Sequence, residues 1–146
     1  MQNHLGVFKS TIDNIKSVEP NDDYDGYCKY IKENDKRRSL ASFYMLLANR
    51  NAININDIID IIVYFQRRLY ELIDLDARSV ECEELSELLF ILISVGKTNK
   101  LLIIDAAWIA IIDNVLKLSK SKVSSHKSLS SRIIFKHLDL IDFMMK

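Results

Sequence analysis

Glycine and proline are scarce in this chain, and no other feature of its sequence restricts the fold more. Only three Gly and one Pro occur in 146 residues. An all-β chain needs turn residues between many short strands, and a phosphate-binding loop needs several glycines. Aliphatic residues recur instead at intervals of three and four, the period of a helix with one buried face. Isoleucine favours strands, but the isoleucine-rich segments are long and keep the helical period, so we predict an all-α fold.

The helical period predicts six main helices and one short one, joined by short connections. Asn54 or Asn56 can cap the strongest helix, and Ser79 can cap the next. Gly96 is typical of a left-handed residue at a helix end. The stretch that follows Asn99 is apolar on nearly every side, which predicts a helix sandwiched between others, with its tryptophan in the core. The predicted helices cover residues 3–18, 24–32 (the short one), 35–49, 55–73, 80–96, 100–118 and 129–145.

Consecutive helices pair into units of about 40 residues, the size of a HEAT-type repeat. We therefore expect residues 1–146 to form a single helical HEAT-like domain, an α-solenoid of about three antiparallel helix pairs. Sequence similarity between the pairs is weak. Periodicity alone therefore leaves a closed helical bundle open as an alternative.

The charge balance excludes a general attraction to nucleic acid or to an anionic membrane. Twenty Lys and Arg offset twenty Asp and Glu, so the formal net charge is zero, and any such binding needs a local patch. Cys28 and Cys82 are too few for a disulfide scaffold and fit a reducing compartment.

The sequence shows no targeting or membrane-spanning signal. The amino terminus lacks the basic-then-apolar order of a signal peptide. Asp105 and Asp113 interrupt the most apolar stretch, Leu101 to Leu118, and a charge near the bilayer centre costs about 2.5–3.5 kcal/mol. We expect a buried core helix there, no membrane partner, and a cytosolic or nuclear protein, with the cytoplasm as the predicted location.

Catalytic and metal-binding patterns are absent from the sequence. His4, His126 and His137 stand in no zinc or di-iron spacing. Asp105 and Asp113 lie two turns apart on one predicted helix and could act as an acid–base pair, or could be solvent-facing or salt-bridged edges of a buried helix. We predict a protein that is not an enzyme and has no cofactor and no metal.

The two signs of charge are segregated along the chain. Residues 71–87 carry seven acids and one base, Arg78, whereas residues 114–138 carry no acid. The basic segment has a serine-rich loop that could bind RNA phosphates or an acidic partner, or could be a solvated loop. The candidate binding residues are Lys117, Lys120, Lys122, Lys127 and Arg132.

A second basic cluster is Lys36-Arg37-Arg38. The predicted helix at 35–49 places these three cations in its first turn, where they oppose the positive end of the helix dipole. Such an unfavourable placement suggests a functional reason, for example contact with an acidic partner. The alternative is a surface cluster that Glu33 and Asp35 neutralise locally.

Three segments resemble the middle domain of eukaryotic translation initiation factor 4G, in matching order and approximate spacing. Lys36-Arg37-Arg38-Ser39-Leu40 resembles its Arg-Arg-Ser-Leu helix start, and Leu85, Leu88 and Leu89 followed by Val95-Gly96-Lys97 resemble its leucine-rich helix ending in Ile-Gly-Lys. The most specific segment, Ser130-Ser131-Arg132-Ile133-Ile134-Phe135 with Asp139-Leu140-Ile141-Asp142, resembles Ser-Ser-Arg-Ile-Arg-Phe with Asp-Val-Leu-Asp. The family's Gly-Asn, its later Gly-Glu and its second basic residue are replaced here by Ala41-Ser42, Leu47-Ala48 and Ile134.

The resemblance covers the later HEAT repeats of that family and implies a scaffold. Such domains hold a DEAD-box RNA helicase of the initiation factor 4A type and often contact RNA. The implied function is an adaptor in translation initiation, with other initiation factor subunits as further partners. It places Lys36, Arg37 and Arg38 at one helix start, as candidate partner contacts, and Arg132 at a neighbouring one. Arg132 could equally be structural and bond helix carbonyls or an acid of the adjacent repeat.

Two other function classes suit a helical chain of this length. One is a small Bcl-2-like interaction protein that modulates host cell death or signalling, although no Asn-Trp-Gly-Arg-like groove motif is present. The other is an independent RNA-binding module that uses the basic loop.

Overall fold

The computed structural model describes residues 2–15 and 18–145, and within these ranges the chain is all-helical with no strand. The prediction of an all-α fold is thereby confirmed. Two 3₁₀ turns, Thr11–Asn14 and Val123–Ser125, accompany the α-helices. The helices are α1 (Gln2–Ser10), α2 (Tyr24–Asn49), α3 (Ile55–Leu72), α4 (Ser79–Gly96), α5 (Lys100–Ile103), α6 (Ala106–Ser119) and α7 (Ser131–Met144).

The first helix is shorter than the predicted span of 3–18. Helix α1 ends at Ser10, continues as a 3₁₀ turn to Asn14, and gives way to extended backbone at Ile15. Residues 16 and 17 lie outside the described residues. Leu5 and Phe8 on α1, together with Ile12 and Ile15, are buried as the helical period predicts.

Helix α2 is one continuous helix of 26 residues, so the prediction of two helices at 24–32 and 35–49 is wrong. Asp23 caps it by accepting a hydrogen bond from the backbone N–H of Gly26. No Gly or Pro stands between Lys32 and Asp35 to interrupt the hydrogen-bond ladder. The basic cluster Lys36-Arg37-Arg38 therefore lies in the middle of a helix and not in its first turn.

Of the three predicted signals for helix ends, one acts as predicted and two do not. Asn54 caps α3, as one of the two alternatives states, by accepting from Asn56 N–H. Ser79, however, is the first helical residue of α4, and Arg78 occupies the cap position without a side-chain hydrogen bond. Gly96 is the last helical residue of α4 and has no positive φ, so the left-handed cap predicted for it is wrong.

The apolar stretch after Asn99 is two helices, because the Asp105 side chain accepts from Ala107 N–H and starts α6. It is not sandwiched on every side. Leu102 and Ile111 are fully buried, whereas Ile104 and Ile109 are 75% and 76% exposed. The prediction of a helix buried all round is therefore wrong for one of its faces.

The helices pack in two layers. In one layer α2 lies beside α4 and α4 beside α7, while in the other α1 lies beside α3 and α3 beside α6. Between the layers α4 packs on α3, and α7 packs on α6. All seven helices contribute side chains to one apolar core. This order of neighbours is compatible with a solenoid of stacked pairs and with a helical bundle.

Across the described residues, no helix combines the length and the apolar character that crossing a bilayer requires.

Candidate functional site

The three residues of the basic cluster on α2 point in different directions. Successive residues of an α-helix are separated by about 100° around its axis, so they do not share a face. Lys36 is exposed, Arg37 is 5% exposed, and Arg38 turns toward α4. The structure thus separates the three residues that the sequence groups together, and of the three only Lys36 is exposed.

Arg37 is a core arginine. Its Nη2 donates a hydrogen bond to Asn34 Oδ1, one turn earlier on α2. Its buried Nε has no hydrogen-bond partner among the described residues, and burial lowers the pKa of this guanidinium. Only 5% of its surface is exposed, at the wall of a small open cavity that Lys36 and Leu40 also line, so Arg37 offers a partner much less surface than an exposed cation does.

Arg38 joins α2 to α4 through a two-pronged ion pair with Glu84. Its Nε lies 3.1 Å from Glu84 Oε1 and its Nη2 lies 2.7 Å from Oε2. The Glu84 side chain is only 3% exposed. The hydrogen bonds to this carboxylate raise the pKa of Arg38, and charge-assisted pairs of this geometry are among the stronger polar contacts in proteins.

The acidic segment of α4 pairs with the basic start of α7. Ser130 Oγ donates to Glu83 Oε1 at 2.9 Å and accepts from Ile133 N–H, so it also caps α7. The Arg132 guanidinium lies 3.7 Å from Glu83 and 3.9 Å from Glu87. Lys136 Nζ lies 3.1 Å from Glu87 Oε1. Much of the charge segregation in the sequence therefore serves contacts inside the molecule.

A cavity of about 300 Å³ lies where these contacts meet, and we name it the charged cleft. It brings together Arg38 and Arg132, which belong to two sequence segments that the family resemblance singles out. Each arginine is held by a glutamate of α4, which lies between α2 and α7. The cleft is lined by Tyr30, Ile31, Asn34, Asp35, Arg38, Val80, Glu83, Glu84 and Arg132.

The basic loop at 120–128 is fastened to the turn between α3 and α4. Ser128 is fully buried; its Oγ accepts from Arg78 N–H at 2.9 Å and donates to the carbonyl of Leu75. His126 contacts Asp74, and Lys127 Nζ lies 3.7 Å from Asp76. The loop is therefore an ordered connection between two elements.

The five cations proposed for RNA or an acidic partner do not form one free patch. Lys117 pairs with Asp113 at 3.0 Å, and Lys127 and Arg132 lie near the acids named above. Lys120 and Lys122 are exposed and make no ion pair with any described residue. They are the two members of the set without an acidic neighbour among the described residues.

The acidic residues considered for catalysis do not act together. Asp105 caps α6 and Asp113 pairs with Lys117, so each has a structural role. Burial raises the pKa of Cys82 to about 12, which leaves its thiol protonated and unreactive at neutral pH. In the part of the chain that the structure describes, no three His, Cys, Asp or Glu side chains are placed to share a metal ion.

Sequence reasoning did not single out the glutamates of α4, of which Glu83 and Glu84 line the cleft and Glu87 lies beside Arg132. They stand in the acidic run, where the sequence offers only a helix-dipole explanation. The charge segregation was a usable signal, because an acidic segment and a basic segment of one neutral chain attract each other and can form ion pairs within the molecule.

Comparisons of the chain with protein-family models, with curated proteins and with solved structures find no match.

Proposed function

We propose that this chain is a non-catalytic adaptor that binds a DEAD-box RNA helicase of the initiation factor 4A type in translation initiation. One observation supports the proposal more than any other. The three segments that resemble initiation factor 4G lie on α2, on α4 and along α7, and these helices are consecutive neighbours in one layer. A scaffold of stacked HEAT-like pairs has this order, and its edges and loops are its binding surfaces.

The proposed mechanism is a clamp. The chain contacts both lobes of the helicase at once and favours the closed, RNA-bound arrangement over the open one. An adaptor changes the activity of its partner only if it binds one conformation more tightly than another. RNA and other initiation factor subunits are further proposed partners, and Lys36, Lys120 and Lys122 are exposed cations of the two basic clusters that could contact acidic surfaces or phosphates.

The direct test uses the purified chain and a purified helicase of this type. We expect calorimetry to detect a complex and a phosphate-release assay to show a raised ATPase rate in the presence of RNA. If neither is observed, the proposal is wrong.

A matched pair of charge reversals tests where the helicase binds. Lys36→Glu should weaken the complex about two- to fivefold, the range of an exposed ion pair. Lys100→Glu reverses an equally exposed cation on α5, outside the three resembling segments, and should leave the affinity unchanged. Equal effects of the two reversals would contradict a contact at α2.

A further inference from the structure

An open apolar groove lies between α6 and the end of α7. It encloses about 520 Å³, which is larger than the charged cleft. One wall is a stripe on α6 and the other is a stripe on α7, with residues spaced three and four apart. The walls include Trp108, Ile112 and Leu116 from α6, Ile141 and Met144 from α7, Met145 just after α7, and Ile103 from α5.

The inner sides of both walls pack on the core, while their outer edges face solvent. Trp108, Ile112, Ile141 and Met144 are half-buried against the core. Leu116 and Met145 are 36% and 83% exposed. A groove between two helices with apolar stripes is the usual binding site of a third, amphipathic helix. Methionine adapts its shape to such a helix more readily than branched side chains do.

The charge on the groove indicates which kind of helix binds there. Among the described residues that line it, Lys97 is the one that carries a charge. Its Nζ donates to the carbonyl of Phe143 at 3.0 Å and lies 4.0 Å from the centre of the Phe143 ring, so it is held at the wall. A second copy of the chain using the same groove would bring another lysine and no carboxylate. A different protein with an acid beside its apolar stripe complements the groove better.

We propose that this groove binds one amphipathic helix of a partner protein. The apolar stripe of that helix fills the groove, and a carboxylate flanking the stripe pairs with Lys97. The proposal is independent of the helicase proposal, because none of Lys36, Lys120 and Lys122 lines this groove.

The single tryptophan of the chain provides a direct readout, since Trp108 lies in the groove wall. The probe is a synthetic helical peptide of about 18 residues, five turns long, without tryptophan, with leucines along one stripe and one glutamate beside it. A twin peptide has lysine in place of that glutamate. We expect both to shift the emission of Trp108, and the glutamate peptide to bind about two- to fivefold more tightly. In Lys97→Glu the preference should reverse.

A matched pair of variants tests the site. Leu116→Glu places a charge in the wall and should weaken binding by at least about tenfold. Phe135→Glu changes a more exposed apolar residue of α7 outside the groove, 62% exposed, and should have no effect. Far-UV circular dichroism confirms that both variants are folded.

Three results would overturn the proposal. The first is no change in Trp108 emission with either peptide. The second is that the glutamate and lysine peptides bind wild type with the same affinity and also bind Lys97→Glu with the same affinity. The third is a wild-type dimer in sedimentation that Leu116→Glu abolishes, because the groove would then bind a second copy.

Discussion

Side-chain packing favours glycine at position 96, although the backbone dihedral angles there do not require it. A Cβ built at this position would lie 2.8 Å from Leu102 Cδ2 and 3.0 Å from Met45 Sδ. The end of α4 approaches the buried side chains of Met45 on α2 and Leu102 on α5 at this point, and both would have to shift to make room for a Cβ. The sequence identifies the residue as a helix end but gives the wrong reason for the glycine.

Replacing Gly96 by alanine should therefore destabilise the protein. Overpacking of a filled core costs about 1–3 kcal/mol, which exceeds the gain of about 0.5–1 kcal/mol from removing glycine inside a helix. The free energy of unfolding, measured in urea, should fall by about 1–2 kcal/mol. Gly6→Ala on α1 is the control, because a Cβ there has nothing within 4 Å. It should be neutral or slightly stabilising, and a similar loss in both variants would contradict the packing argument.

At the scale of elements, polar contacts determine how the helices of one layer are aligned. Arg38 and Glu84 join α2 to α4, and the serine and cations at the start of α7 join it to the glutamates of α4. Asn49 adds a further link, because its Nδ2 donates to the carbonyl of Val95 at 3.1 Å. The central helix α4 is thus held by charged or polar groups on both sides, over an apolar core.

The ion pair between Arg38 and Glu84 predicts that a double variant is more stable than the single variant that lacks only the arginine. Arg38→Met leaves a buried carboxylate without its partner and should lower the free energy of unfolding by about 1–3 kcal/mol. Adding Glu84→Met removes that carboxylate, so the double variant should recover much of the loss. Lys36→Met, on the same helix but exposed, should stay within about 0.5 kcal/mol of wild type. A double variant that is less stable than Arg38→Met alone would show that the pair is not the cause.

At the scale of the whole molecule, a titratable group lies inside the single core. His137 on α7 is 2% exposed. Its Nδ1 lies 2.9 Å from the carbonyl of Ile133 and 3.5 Å from Ser86 Oγ on α4. Burial lowers the pKa of this imidazole, because a charged ring would lose its hydration between the two helices.

The stability of the whole fold should consequently fall in mild acid. The histidine of the unfolded chain keeps a pKa of about 6.5 and takes up a proton more readily than the folded one. The contribution of the neutral ring is therefore present above about pH 6.5 and is lost as the pH falls below it. Urea unfolding between about pH 8 and 5.5 should show a smaller decline in His137→Gln than in wild type. An unchanged decline in His137→Gln would contradict the assignment.

The amino-acid sequence by itself determines the helical class and most helix positions. The period of the aliphatic residues, the cap at Asn54 and the near absence of helix breakers act within a few residues of the chain, so local patterns are enough to predict them. The same local signals mislead at Lys36-Arg37-Arg38, where no breaker separates two predicted helices, and at Asp105, where a cap divides one.

The tertiary structure alone decides which charges meet, which apolar face stays open and why Gly96 must be small. Arg38 and Glu84 are 46 residues apart, and so are Asn49 and Val95. Whether an aliphatic residue such as Ile109 is buried depends on which helix packs against it. These outcomes depend on the arrangement of neighbouring helices, which brings distant parts of the chain together and which no local pattern encodes.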